Sequence, residues 1–420
     1  MEFQTHTLAN GLRIIGVPMP AFRSVSVGLW VDSGSIYETP EENGVSHFIE
    51  HMLFKGTYRR SARQIAEEMD AVGGLLNAFT DVENTCFHTR VIAEHLPLAM
   101  DMIADLVLHS RLDPEDIERE KGVVLEEISM AEDTPDDLVF ELATQAHYGL
   151  QPISQPVLGS AENVSGFTRE TITGYMARRY RPQGAVLALA GGYDWKSVVA
   201  LAGELFGDWQ GPNEARPEIS VLPYTPGVLK SEKDIEQTHI CLNFPCPRDG
   251  TKETFAYGML SSVLGGASSS RLFQTIREEK GLAYNVYISS NTTMHSGLAS
   301  VYAGTSPENA REVVRLAIDQ MRRLGTEGVS EKEFLQAREQ MLSSLIMSLE
   351  SPSSRMRYTG RRLLMKGDTM DSETLIEKIR AVRIEEVNEL AKGLVDAPFS
   401  AAVVGADAQA LTDEALLGKE

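Results

Sequence analysis

The sequence predicts an α+β fold made of two similar halves, on three observations. A length of 420 residues suits two domains of about 200 residues better than one. Stretches with strand-like alternation are interleaved with stretches of helical periodicity, and no long biased tract interrupts them. The order of these stretches before a proline-rich segment near the middle repeats after it.

In the first half, GLRIIGV and SVSVGLWVDSGS alternate as strands do, with the turn-like PMPAF between them. PEENGVSHFIEHMLF and SARQIAEEMDAVGG carry helical periodicity, the second stopping at Gly73 and Gly74. LLNAFTDVENTCFHTRVI predicts two strands around a polar turn, followed by helices over EHLPLAMDMIADLVLHS and LDPEDIEREKGVVLEEISMAE. Asp113 serves the last of these as N-cap, with Pro114 at its first position. DWQGPNEARPEISVLPYTPGVL, with four prolines and two glycines, predicts an extended linker. The expected domains are therefore residues 1–210 and 228–420, joined by 211–227.

Beyond the linker come strand HICLNFPC, helices ETFAYGMLSSVL and SRLFQTIREEKG, strands LAYNVYISS and LASVYAG, then helices ENAREVVRLAIDQMRRL and SEKEFLQAREQMLSSLIMSLE. Setting Gly56 against Gly266 places His47, Glu50 and His51 opposite Tyr257, Leu260 and Ser261. Setting Asp113 against Ser330 places Glu120 and Glu127 opposite Ala337 and Ser344. The second half thus lacks every polar group that the first half clusters, as expected if those groups serve a single active centre rather than folding.

Composition narrows the classes. With 42% hydrophobic and 24% charged residues the chain reads as globular. A formal charge of −21 argues against nucleic acid, which needs a basic surface. No apolar run approaches the ~20 residues that span a bilayer, and the start shows no basic region leading into an apolar core, so no membrane contact and a cytoplasmic location are expected. Three cysteines, Cys86, Cys241 and Cys246, are too few for a disulfide framework.

The chemistry sits in HFIEH, residues 47–51. Positions i and i+4 share a helix face, so His47 and His51 can turn two imidazole nitrogens toward one divalent ion, zinc being the natural choice. Glu50 lies beside that point as a general base toward water. A catalytic zinc takes three protein ligands, and Glu127, on the helix after Asp113, is assigned as the third. Glu120, seven residues earlier on the same face, is assigned to orient a ligating histidine. A lone H-x-x-E-H arises by chance in unrelated proteins; the downstream E-x6-E helix and the asymmetric repeat separate this one from them.

Four stretches, GVSHFIEHMLFKGT, GGLLNAFTDVENTCFHTRV, LDPEDIEREKGVVLEEISMAEDTPDD and GGASSSRLFQTIREEKGLAYNVY, together resemble the pitrilysin family of zinc peptidases, in particular its mitochondrial processing peptidase branch. H-x-x-E-H is the inverzincin signature, and the resemblance spans nearly the whole chain. It implies two halves, each a mainly antiparallel sheet packed on helices, that form a clamshell chamber in which one zinc per chain cuts extended peptides. It also implies His47, His51 and Glu127 as ligands, the last 127 − 51 = 76 residues beyond the second histidine, with Glu50 as base and Glu120 as support.

The resemblance further implies substrate contacts. Asn77 and Ala78 lie on an edge strand to which the peptide adds, Phe54 lines the pocket for the residue after the cut, and Asp137 with Glu141 receive an arginine before it. Arg271 and Tyr284 are the second half's available candidates for contact with the substrate. A dimer is implied, either of identical chains or with a homologous partner. A general oligopeptide-degrading enzyme and a non-catalytic scaffold subunit of the same fold are the alternatives.

Overall fold

The computed structural model describes residues 3–212, 216–220, 226–394 and 399–419, and it has the expected mixed α+β architecture in two similar halves. Part of the expected linker, residues 213–215 and 221–225, lies outside the described residues.

The first half runs β1 (Gln4–Thr7), β2 (Arg13–Pro18), β3 (Ser24–Val31), α1 (Val45–Leu53), α2 (Ala62–Ala71), β4 (Asn77–Thr80), β5 (Thr85–Ile92), α3 (Leu96–His109), α4 (Pro114–Asp133), α5 (Pro135–Tyr148), α6 (Ala161–Gly166), α7 (Arg169–Arg179), β6 (Ala185–Gly191) and α8 (Trp195–Phe206). The second runs β7 (Val228–Glu232), β8 (Thr238–Pro245), α9 (Thr254–Ser261), β9 (Ala283–Thr292), β10 (Gly297–Thr305), α10 (Ala310–Glu327), α11 (Glu331–Ser348), α12 (Pro352–Lys366), α13 (Ser372–Ala381), α14 (Ile384–Lys392), β11 (Ser400–Gly405) and α15 (Asp413–Leu416).

The strands form two sheets, ordered β1-β2-β6-β3-β5-β4 and β7-β11-β8-β10-β9. Apart from β1, the second order reproduces the first strand for strand, including one parallel pair in each, β2 with β6 and β7 with β11. In both sheets the strand that follows the first helix of the half, β4 or β9, lies at the edge.

Each sheet is covered on both faces, and β3 shows why its sequence reads as it does. Val25, Val27, Leu29 and Val31 point into a core shared with α1 and α3. The alternate residues face α12: Ser26 shares a hydrogen bond of 2.9 Å with Ser353, and Gly28 sits under Met356. A Cβ on Gly360 would stand 2.2 Å from Trp30 Nε1, so only glycine lets α12 approach this closely. In the second sheet α5 plays the matching part, with Val139 and Ala143 packed on Cys241, Tyr302, Ala402 and Val404. The described residues accordingly divide into two compact units, residues 1–128, 155–219 and 346–375 against 129–154, 220–345 and 376–420.

Three local differences from expectation are seen, and the first has a clear physical cause. The helix expected from Pro40 begins at Val45, because the buried Glu38 carboxylate accepts from the Gly44 and Ser46 N–H groups at 2.7 and 2.8 Å and so caps the helix there. The helix expected over residues 270–281 winds as a π-helix from Phe273 to Glu279, and a second π segment, Ser262–Gly266, follows α9. In the sequence Val123 and Val124 read as an apolar lining beside Glu127, but Val123 is half exposed next to the buried Val124, so that lining is present on one side only. Cys86 and Cys241 are buried free thiols and Cys246 is half-buried. Among the described residues no helix is long and apolar enough to cross a membrane.

Candidate metal centre

The site assembles where α1, α4 and β4 meet in the first unit. On α1, burial of Val45, Phe48, Ile49, Met52 and Leu53 against the core leaves His47, Glu50 and His51 on the remaining face. The two rings stand with centroids 4.6 Å apart. From α4, Glu127 Oε2 lies 3.7 Å from His47 Nε2 and 3.5 Å from His51 Nε2. One ligand atom from each of these three residues falls within 4.8 Å of the others, so the structure brings together the three ligands expected from the sequence.

These residues fit a zinc ion. Ligand atoms at 2.0–2.1 Å around a tetrahedral centre are about 3.4 Å apart, close to the two separations here. The rings must be neutral to bind metal, and His47 is: burial first, then the neighbouring His51, lowers its pKa to about 4. His51 Nδ1 bonds Glu120 Oε1 at 2.8 Å, and because an ionised carboxylate can only accept, Nδ1 is the donor of that bond, which turns Nε2 toward Glu127. His47 Nδ1 is buried with no hydrogen-bond partner among the described residues.

Glu120 makes the His51 contact that its assigned role needs, and it has a further partner that sequence reasoning missed. Its carboxylate is 2% exposed, and burial alone would raise its pKa. The His51 N–H and the Lys55 ammonium, 2.7 Å from Oε2, outweigh that and hold it below the usual range. Lys55 lies in the turn just past the end of α1, four residues after His51, so no helical spacing marked it.

Glu50 has a second unforeseen partner. Thr80 on β4 donates to its Oε2 at 2.7 Å. Burial pushes the Glu50 pKa up; the Thr80 bond and His51 pull it down, and Glu127 adds to the rise, leaving it above the ordinary value. A carboxylate so placed is a better proton acceptor than a solvated one.

β4 bears Asn77 and Ala78 on the sheet's edge, as expected. Leu75 and Asp81 direct their N–H groups inward to β5, so by alternation Ala78 and Thr80 turn theirs outward. The outward N–H of Ala78 is capped by Asn77 Oδ1 at 2.8 Å. Phe54 ends α1, partly buried against the core. Asp137 and Glu141 lie on α5 in the second unit, the first exposed and the second half-buried, with burial and then Glu132 raising the Glu141 pKa. Of the second half's candidates, Arg271 is consumed by Glu333 at 2.8 and 3.0 Å and by the Gly328 carbonyl. Tyr284 is exposed and carries the Arg277 guanidinium over its ring at 4.2 Å, a pairing the sequence reading did not name.

Comparison with known proteins agrees with this chemistry. Residues 17–161 match the family model described as insulinase, peptidase family M16, and residues 166–341 match the peptidase M16 inactive domain. The chain is 38% identical over 403 residues to the uncharacterized zinc protease YmxG of Bacillus subtilis, covering 95% of this chain and 97% of that one. It is 41% identical over 403 residues to an uncharacterized zinc protease of Mycobacterium tuberculosis, covering 95% and 92%. Two solved structures share the fold at a TM-score of 0.89 and 19% identity: a peptidase M16 inactive domain from Pseudomonas fluorescens, with 96% and 98% covered, and a protease from Helicobacter pylori, with 96% and 99% covered. The chain belongs to peptidase family M16, the pitrilysin family, and both of these relatives are named zinc proteases.

Proposed function

We propose that the chain is a zinc metalloendopeptidase acting on extended peptides. The observation that carries this is the convergence of two imidazoles and a carboxylate on one point, with a second, raised-pKa carboxylate beside it. Zinc there would polarise the scissile carbonyl and lower the pKa of water to about 7. His47, His51 and Glu127 would hold it, while Glu120 and Lys55 fix the His51 ring. Glu50, anchored through Oε2 by Thr80, takes the proton of the attacking water on its other oxygen and passes it to the leaving amine.

The peptide joins β4 as an added strand, bonding the outward main-chain groups of Ala78 and Thr80 once Asn77 releases the Ala78 N–H. Phe54 lines the pocket for the residue after the cut, and Asp137 with Glu141 favour an arginine before it. One zinc per chain, a chamber enclosed by the two halves and a dimeric active form, of identical chains or with a homologous partner, complete the reading.

The test is metal analysis together with chelator-reversible cleavage of a mixed peptide library. One zinc per chain and cleavage lost to chelator and restored by zinc are expected. A purified chain that takes up no zinc overturns the reading.

A further inference from the structure

β4 has two faces. Ala78 and Thr80 turn toward α1 and the metal centre; Asn77 and Phe79 turn the other way, toward α12. On that second face Phe79 packs edge-on against Trp30, with centroids 5.5 Å apart, and lies 5.9 Å from His88 of β5. α12 is seated firmly there: Ser353 bonds Ser26, Met356 and Gly360 pack on Gly28 and Trp30, and the Leu363 carbonyl accepts from Arg13 at 2.9 Å.

Arg357 and Arg361 are four residues apart on this helix, and so ride side by side over the β4–β5 hairpin. Arg361 is paired, with the buried Glu83 of the hairpin turn at 3.2 Å. Arg357 is exposed, lies 5.3 Å from the Phe79 centroid and places Nη2 3.3 Å from His88 Nε2. No carboxylate is within ion-pair distance of it among the described residues, in a chain with 60 acidic and 39 basic residues. His88 adds no charge, since burial and then Arg357 lower its pKa to about 4. A stacked, pre-oriented guanidinium without an anion, one strand-width from the free edge, is a carboxylate receptor waiting for its ligand.

We propose that Arg357 selects an Asp or Glu side chain of the bound peptide, at a subsite on the face of the added strand opposite the metal. This rests on the reading that peptides pair with β4. In such a strand the residue opposite Phe79 shares its face, with Cβ atoms about 5 Å apart and diagonal neighbours at about 7–8 Å, within reach of an arginine. Residues one position either side turn toward α1 instead and do not meet Arg357, so the preference is confined to one position and those two removed from it.

The test uses otherwise identical quenched-fluorescence peptides in which Glu, Gln or Lys is walked through successive positions. Binding is read by polarisation on zinc-loaded Glu50→Gln protein, and cleavage on the protein with Glu50 intact, each with and without Arg357→Gln or Arg357→Glu. The expected result is about a fivefold preference for Glu over Gln at one position, the scale of a partly exposed ion pair. That ratio falls to near one in Arg357→Gln and turns to favour Lys in Arg357→Glu. A preference unchanged by Arg357→Gln, or none at any position in peptides that bind, overturns the proposal. Peptides bound with the Glu preference but never cut would remove the peptidase reading and leave this subsite standing; peptides neither bound nor cut remove both.

Discussion

The helix that opens each half's helical layer carries opposite contents in the two halves. On α1, His47, Glu50 and His51 gather around one point; at the matching positions of α9 stand Tyr257, Leu260 and Ser261, with Tyr257 and Leu260 buried. Both helices are tied to their edge strands by a side-chain hydrogen bond from matching positions, Thr80 to Glu50 at 2.7 Å and Ser290 with Tyr257 at 3.2 Å. In the first half that bond holds a carboxylate whose pKa burial has raised; in the second it satisfies a phenol in an apolar core. The difference teaches that the fold does not require the polar cluster. The first half carries it against the preference of its own core, as expected of groups retained for chemistry.

Exchanging these contents is the sharpest way to break the comparison. Glu50→Gln should lower kcat/KM by about 10³-fold, the general-base contribution, while zinc content by metal analysis stays at the unaltered level. Its counterpart, Leu260→Glu, should leave zinc unchanged and destabilise the chain by about 3 kcal/mol or more, read by urea unfolding, because a carboxylate there has no partner. Glu120→Gln should weaken zinc binding by about 10- to 100-fold in competition with a chelating dye, whereas Ala337→Gln at the matching site should affect only stability.

Smaller effects sharpen the same contrast. Thr80→Val removes a bond that lowers the Glu50 pKa, so the acid limb of the kcat/KM profile should move to higher pH with a loss of less than about tenfold; Ser290→Ala should move nothing in that profile. His47, His88 and His147 are neutral when folded, each lowered to about 4, chiefly by burial, while the unfolded chain protonates them near 6.5. Stability is therefore full above about pH 6.5 and is lost as pH falls from there toward 4, because the unfolded state binds the extra protons. Melting of the metal-free chain should follow that window, and the added stability from zinc should shrink within it as His47 is claimed by protons.

Much of the site was legible because its spacing is local. His47, Glu50 and His51 lie within one helical turn, and Glu120 and Glu127 share one face of α4. The distant third ligand, Glu127, was assigned from its place seven residues after Glu120 and from the family resemblance; burial does not mark it, since its side chain is 37% exposed on a largely charged helix. What could not be read depends on which side chains meet across elements. Glu38 as the cap of α1 and Thr80 as the anchor of Glu50 are ordinary residues until folding brings them within 2.8 Å of their partners. The sequence reading named Arg271 and not Arg277; only the folded chain shows Arg271 engaged by Glu333 and Arg277 stacked on Tyr284. The strand order also repeats between the halves far more faithfully than the residues do, because many apolar sequences satisfy one alternating pattern.

The seat of α12 on the first sheet bears on how the chain is made. The face of β3 bearing Ser26, Gly28 and Trp30 is closed by residues 353–360, which leave the ribosome only after most of the second half has been translated. At 5–20 residues per second the nascent first sheet waits on the order of ten seconds or more with one side bare. Holding chaperones should therefore raise its soluble yield, and a fragment ending before α12 should come out of cells in inclusion bodies, to be rescued by supplying the missing segment alongside it.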